Sequence, residues 1–556
     1  MSSRSTSPSD LARLSLLEGS RHDPDPVGYE KTRSLPGWVF AVALASAALV
    51  LVANLSGIAA GDDGVGYRAI ADSILAGEGL RYFLEDPLTV WPPLWPALMA
   101  LVARVTPLDT LGAAVLLNVA TVISVVLIGH GLLRMVVPDR RLVVIGTVVM
   151  GLGASTIGFG HLLMTDLAFA VVVLVWLRTM IRFRDSDDTR WLLAASATVW
   201  LGFGLRYVAI YLLGLGGLWL LLDLRRSFGQ RLRNGITYGL VGMVVPIGWM
   251  LRNRSIDGTF TGERMPSARG PVDNAFDILG AMGRWLLPGV ADTAKYFWAA
   301  VGGIVLVVAA CAGWRILRSR PPRTSFDSPV RRFVAWSGSA SGLLAVQAFG
   351  YLAYMLYVRS TTALNQLELR LLNPAYFSLL ALALVLVANL HRIPGRAGRS
   401  WERLGRAVVW VWAVANVAVG VYAAFNFAAG DAFFDGNYES DTFVDVRADP
   451  VLDSIPVGCE VLSNLPNALY PTVQARWSPR RTGLESNRPV DDLDELRARL
   501  REDAGTPGST PVCLVWIDEE PTYGHLFALD ELSEELELEP LASSDVVELY
   551  RVTAPS

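Results

Sequence analysis

The sequence predicts a polytopic α-helical membrane protein carrying a small extracytoplasmic α/β domain, and three observations lead there. Hydrophobic residues fill 52% of the 556 positions and charged ones 18%, with a mean hydropathy of +0.39, a balance that fits several membrane spans better than one large soluble core. Apolar runs recur from residue 38 to residue 425, separated by short arginine-rich segments. Near Gly430 the composition turns acidic and polar and stays so to Ser556. The expected organisation is a disordered cytoplasmic tail (1–36), a multi-span domain (37–428) and an extracytoplasmic α/β domain (429–556).

The same numbers exclude other classes. A net charge of −4 is too small to indicate a nucleic-acid partner. Three cysteines, Cys311, Cys459 and Cys513, rule out a disulfide-rich scaffold or a cysteine metal cage. Lysine occurs only at 31 and 295, which reads as genome composition. No small-residue cleavage site follows the first apolar run, so that run reads as a retained anchor.

The order of elements follows from segment length and the positive-inside rule. The tail holds Arg4, Arg13, Arg21, Lys31 and Arg33 and is expected to stay cytoplasmic, so span 38–59 runs outward. Asp62 and Asp63 then stand at its outer exit. Residues 67–75 carry apolar positions at helical spacing up to Gly77 and Gly79. Residues 94–105 are too few to cross a core of about 30 Å, so they are placed along the outer interface. Spans follow at 111–133, 142–159, 167–181, 191–204, 208–222, 236–250, 296–314, 333–357, 371–390 and 408–425, about eleven in all. Each cytoplasmic loop so defined is rich in arginine. The outer loop 254–292 shows little apolar periodicity. Beyond Gly430, residues 461–462, 512–517 and 546–552 read as strands and 490–501 as a helix. Cys459 and Cys513 each begin a strand, and they are as well read as two buried thiols as a pair.

Parity gathers chemistry at one face. Asp62, Asp63, His161, Asp166, Arg206, Tyr207, Arg252, Asn253, Glu368 and Arg370 all fall at outer ends of different spans. Carboxylates from separate loops can hold a hard divalent cation, and arginines at one level can bind a phosphate. Singly, each arginine reads as readily as an interfacial anchor, His161 as a loop residue, and Glu368 and Arg370 as loop charges.

The spacing Asp63-x-x-x-Tyr67-x-x-x-Ala71-x-x-x-Leu75-x-Gly77, with the proline-rich Trp91-Pro92-Pro93 entry after it, resembles the first outer loop of the C-type (GT-C) membrane glycosyltransferases. The similarity is to their protein O-mannosyltransferase and lipid A aminoarabinose transferase branch. Met164-Thr165-Asp166, Trp249-x-x-Arg252-Asn253 and Arg370-x-x-Asn373-Pro374-x-Tyr376 are similar to later outer segments of that family. The resemblance implies transfer of a sugar from a polyprenyl-phosphate donor to an extracytoplasmic glycan, lipid or protein acceptor, in the plasma membrane among its lipids. It implies Asp63 as general base, and Asp63, Asp62 and Asp166 around a divalent cation (Mg, Mn or Zn) if one is used. Arg252, Arg370 and Arg206 would bind the donor phosphate, with Tyr67, His161, Tyr207, Asn253 and Glu368 lining the substrate. Two departures stand out: Gly64 follows Asp63 where many relatives carry a second acid, and Arg206-Tyr207 occupies the turn of a Thr-Lys pair. A transporter or flippase of a lipid-linked or anionic substrate is the alternative, and would more often place charges mid-span. A membrane anchor presenting the outer domain to a partner is the third, and needs no acids at span ends.

Overall fold

The computed structural model describes residues 35–82, 86–262, 264–287, 294–319, 329–394, 396–430, 438, 441–483, 486, 488–503, 509–518 and 524–555. The tail expected over 1–36 lies outside these apart from its last two residues, as does the side chain of Asp62.

Helices form where apolar runs meet capping residues. α1 (Gly37–Ala53) leads through a loop to α2 (Asp62–Ala76), which stops at Gly77, a left-handed residue at φ 83° whose N–H returns to Ile74. α3 (Leu94–Val105) has the 12 residues expected of the interfacial piece, about 18 Å at 1.5 Å per residue. α4 (Thr110–Val136) and α5 (Arg140–Leu152) each open on an aspartate, Asp109 and Asp139, that accepts N–H bonds from the first turn. α6 (Ala154–Gly160), α7 (Asp166–Ser186), α8 (Thr189–Leu205) and α9 (Tyr211–Leu222) follow, the last entered through a 3-10 turn at Tyr207–Ile210. α10 (Phe228–Asp257) opens on a capping box between Ser227 and Gln230. Then come α11 (Pro271–Leu286), α12 (Lys295–Arg318), α13 (Pro329–Ser337), α14 (Ala340–Thr361), α15 (Leu369–Asn389) and α16 (Arg396–Ala428).

Among the described residues, seven helices are long and apolar enough to cross a membrane: Thr110–Val136, Arg140–Gly160, Phe228–Asp257, Lys295–Arg318, Ala340–Thr361, Leu369–Arg392 and Gly398–Ala428. The four other expected spans are helical as well. α1 and α9 are shorter apolar helices, while α7 ends in Arg182, Arg184 and Asp185. Trp176, Phe169, Phe203, Trp219 and Tyr238 fill the bundle interior, whereas Leu240, Val244 and Leu251 on α10 and Ile304, Val307 and Val308 on α12 point outward, as lipid-facing residues do.

Three expectations change. The supposed loop 254–292 contains α11, whose buried Asn274, Ile278, Ala281 and Trp285 recur every three or four residues. Polar Asn274 and Asp277 on that face hid the period. The run 333–357 is two helices, because Ser339 caps the start of α14 through Gly342 N–H. α10 extends past 250, which puts Arg252 and Asn253 on its last turns.

The C-terminal region forms a five-stranded sheet. Its strands are β3 (Glu460–Ser463), β4 (Arg476–Trp477), β5 (Val512–Ile517), β6 (Glu537–Ser543) and β7 (Val547–Thr553), numbered after the short hairpin β1 (Arg81–Tyr82) and β2 (Asp86–Pro87). The order is β4-β3-β5-β7-β6; β3 lies parallel to β4 and β5, and β7 antiparallel to β5 and β6. A helix at Asp492–Asp503 lays Leu493, Leu496 and Leu500 against Leu514 and Trp516. The two strands that escaped the sequence reading are the edges; β4 has two residues, and β6 carries Pro540 at a register shift. Cys459 and Cys513 form a disulfide between neighbouring β3 and β5, with Cα atoms 5.9 Å apart.

Candidate active site

Two loops meet at one end of the bundle and bring the acids together. Ala59 N–H bonds to His161 carbonyl at 3.1 Å and Leu163 N–H to Ala59 carbonyl at 2.8 Å. The exit of α1 is thereby zipped to the turn before α7. Gly64, on the first turn of α2, presses on that turn: a Cβ there would lie 3.0 Å from the Leu163 carbonyl oxygen. A side chain at position 64 would crowd that turn. Glycine lets the Asp63 helix approach the backbone that delivers Asp166.

Asp63 is 40% exposed, and its Oδ2 lies 3.8 Å from Arg370 Nη1, near enough for charge attraction and too far for a hydrogen bond. Arg370 comes from the first turn of α15 and also reaches Met164 Sδ at 3.2 Å. Asp166 begins α7 and is buried, with Oδ1 accepting from Arg206 Nη1 at 2.7 Å and Oδ2 meeting no hydrogen-bond partner among the described residues. Arg206 also donates to Thr165 Oγ1 at 3.3 Å. Burial opposes the charge on Arg206, but the adjacent Asp166 outweighs it, and its pKa is raised. Tyr67, one turn beyond Asp63 on α2, is buried and bonded to the Thr165 side chain. Burial first, then the Asp63 charge, drive its phenol far above the usual range and keep it neutral. Residues 164–166 therefore form one surface shared by Tyr67, Arg370 and Arg206.

A second set of expected residues does something else. Arg252 Nη1 donates to Leu88 carbonyl at 2.6 Å and to Asn253 Oδ1 at 3.0 Å, with its guanidinium 4.5 Å from the centre of the Trp249 ring. Asn253 is fully buried and donates to the carbonyls of Thr89 and Phe260 and to the Tyr207 hydroxyl. Tyr207 in turn donates to Thr89 carbonyl at 2.7 Å. Together these grip the strap 88–91, whose Trp91 packs on Tyr67 with ring centres 5.3 Å apart and covers Gly66. Arg252, expected at the donor phosphate, is turned onto a backbone carbonyl instead.

His161 is fully buried and stacked on Phe427, with ring centres 4.5 Å apart, so its ring packs the last helix against the loop. Glu368 takes the N-cap position of α15, two residues before Arg370. One contributor escaped the sequence reading: Arg264, whose Nη2 donates to Val90 carbonyl at 2.9 Å and whose charge is felt by Asp63. It sits in the stretch read as a structureless loop, and nothing in its spacing marks it.

No protein-family model matches this sequence, and no curated protein does. Solved structures do. The crystal structure of ArnT from Cupriavidus metallidurans bound to undecaprenyl phosphate superposes with a TM-score of 0.54 at 13% identity, over 94% of this chain and all of that one. The chain has the fold of the GT-C membrane glycosyltransferases. The Archaeoglobus fulgidus oligosaccharyltransferase in complex with Zn and sulfate gives 0.52 at 10% identity, over 92% of this chain and 74% of that one. The mycobacterial arabinofuranosyltransferase AftD gives 0.51 at 14% identity, over 94% of this chain and 40% of its own length.

A divalent cation of the kind that fold admits needs several hard donors converging on one point. Among the described residues no group of three His, Cys, Asp or Glu side chains does so. Asp166 is already engaged by the permanent charge of Arg206, and His161 is stacked in the interior. Asp62, the third expected acid, has its side chain outside the described residues, and no step below runs through a metal.

Proposed function

We propose that this chain is an integral-membrane glycosyltransferase. It moves a sugar from a polyprenyl-phosphate donor to an acceptor hydroxyl on the extracytoplasmic face, with Asp63 as the general base. The observation that carries the reading is the placement of Asp63: a half-open carboxylate on the first turn of α2, beside Arg370, which also touches Met164 next to the Asp166–Arg206 pair. ArnT, which shares the fold, binds undecaprenyl phosphate, and that supports the donor class. The Cys459–Cys513 disulfide supports an oxidising, outer location for the C-terminal domain, as do the arginine-rich loops at the opposite ends of the spans.

In the reaction Asp63 takes the proton of the acceptor hydroxyl as its oxygen forms a bond to the anomeric carbon. The bond from that carbon to the phosphate oxygen breaks, and the polyprenyl phosphate leaves with the electron pair and its negative charge. Arg370 is the cation placed to meet that charge. Arg206 bonds Asp166 and Thr165 and so fixes the loop that both Tyr67 and Arg370 touch. Neutral Tyr67 offers an O–H and no competing base.

The first test replaces Asp63 by Asn in the purified, membrane-reconstituted protein supplied with a polyprenyl-phosphate sugar. Removing a positioned base typically costs about 10²–10⁴-fold, so turnover is expected to fall by about 10³-fold with an unchanged unfolding temperature. Wild-type turnover in Asp63→Asn would remove Asp63 from the chemistry.

A further inference from the structure

We propose that Asp72 is a positioning residue for Asp63, and that the C-terminal domain holds the catalytic helix through it; this rests on the glycosyltransferase reading above. Asp72 lies nine residues beyond Asp63 on α2, and at 3.6 residues per turn that separation is a rotation of about 180°. The helix thus shows Asp63 and Tyr67 to the site and Asp72 to the opposite side.

On that opposite side a polar network is set into an apolar cluster that includes Ala69, Tyr438 and Tyr470. Asp72 Oδ1 accepts from Thr110 Oγ1 at 2.7 Å, at the start of α4, and Oδ2 accepts from the Tyr470 hydroxyl, also at 2.7 Å. Arg68, one turn back, lies 3.7 Å from the same carboxylate. Its guanidinium stands 5.2 Å from the Tyr438 ring centre and 5.7 Å from that of Tyr470. Tyr438 donates its hydroxyl to the Tyr470 carbonyl, its own carbonyl accepts from Arg447 at 2.9 Å, and its N–H meets Ile58 carbonyl at 3.4 Å in the loop before Asp63. Both tyrosines are buried.

One carboxylate therefore ties α2 to α4 and to the C-terminal domain, and Tyr438, bonded to Tyr470, touches the loop leading into Asp63. The arrangement fixes the rotation of α2 about its own axis. The outer strap with Trp91 sets the front of that helix, and the tyrosine pair sets the back. Freed at the back, α2 can still fold, but the Asp63 carboxylate loses its fixed bearing on Arg370 and the acceptor. Geometry of that kind is realised in the reacting arrangement more than in ground-state binding, so kcat suffers before KM.

The experiment uses the full-length protein in lipid nanodiscs, with Tyr470→Phe, Asp72→Asn and the double variant. Tyr470→Phe removes one oxygen atom and keeps the ring packing. Each single variant is expected to lower kcat by about tenfold, with KM for donor and acceptor within about twofold. The double variant should be no worse than the weaker single one, because the two remove one shared contact. Hydrogen exchange of α2 amides should quicken about tenfold while β5 stays protected. Wild-type kcat together with wild-type α2 exchange in Tyr470→Phe overturns the proposal, and so do single effects that multiply. If the wild-type protein transfers no sugar, the glycosyltransferase reading fails and the exchange measurement alone decides the grip: faster α2 exchange upholds it, unchanged exchange ends it.

Discussion

Arg206, Arg370, Arg252 and Arg264, at one end of this bundle, fall into two pairs with different partners. Arg206 and Arg370 turn to the carboxylates of Asp166 and Asp63. Arg252 and Arg264 turn to the carbonyls of Leu88 and Val90. A carboxylate cancels the charge of its guanidinium, while a carbonyl orients a guanidinium and leaves its charge in place. The first pair therefore sets the electrostatics of the site, and the second sets the shape of the strap that walls it. Position at a common membrane level does not distinguish the two jobs; the partner does.

Removing Arg206 attacks the buried member of the first pair and carries the largest expected effect on stability. Asp166 is 2% exposed, and Arg206→Ala leaves it charged without its cation or forces it to take up a proton. Breaking a buried pair from one side typically costs about 3–5 kcal/mol, and thermal unfolding should register it as a clear fall in midpoint. Asp166→Asn combined with Arg206→Met should recover much of the loss, since no stranded charge remains. If the single variant unfolds like the wild type, the pair is not structural, and the contrast drawn above loses one side.

Arg370→Ala should act on turnover instead. Its guanidinium is beyond hydrogen-bond reach of Asp63, so the folded state loses little, while the leaving phosphate loses its cation. A donor of that kind is typically worth about 10²–10³ in kcat. Arg370→Lys should restore part of it, because lysine supplies charge without the planar fork. Steady-state kinetics against donor concentration separate the two outcomes: a change confined to KM would make Arg370 a uniform binder and not a stabiliser of the departing charge.

Much of this organisation was legible in the chain. The bounds of α3 followed from the mismatch between 12 apolar residues and the membrane core, and the end of α2 from Gly77, because length and left-handed glycine are local properties. Parity led to the expectation of Asp63, Asp166, Arg206 and Arg370 at one level, and the structure pairs Asp63 with Arg370 and Asp166 with Arg206. What escaped was whatever depends on a partner far along the chain. The grip of Arg252 on Leu88 spans 164 residues and that of Tyr470 on Asp72 spans 398, and no spacing rule reaches across such gaps. α11 escaped for another reason: its buried face carries Asn274 and Asp277, and Asp277 is held by Lys295 at 2.5 Å and by Gln366 at 3.1 Å. A polar residue satisfied by tertiary partners looks, in sequence, like the absence of a helix face.

The smallest expected effect sharpens the comparison most, because two readings of one residue differ there by about an order of magnitude. Arg252→Ala removes one charge-assisted bond to the Leu88 carbonyl and the contact with Trp249. A hydrogen bond to a charged group contributes about 1.5–3 kcal/mol when buried, and this one is only partly so. The strap keeps its other holds, since Asn253 and Tyr207 still donate to Thr89 carbonyl and Arg264 to Val90 carbonyl. Turnover should therefore fall by no more than about tenfold, or about 1.4 kcal/mol of barrier. Proteolysis within the strap should quicken in step, and adding Arg264→Ala should deepen both effects together. A residue bound to the leaving phosphate would behave otherwise: its loss would cost as much as that of Arg370 and would leave the strap's protease resistance unchanged. A fall of about 100-fold with an intact strap would thus move Arg252 into the first pair and return it to the phosphate.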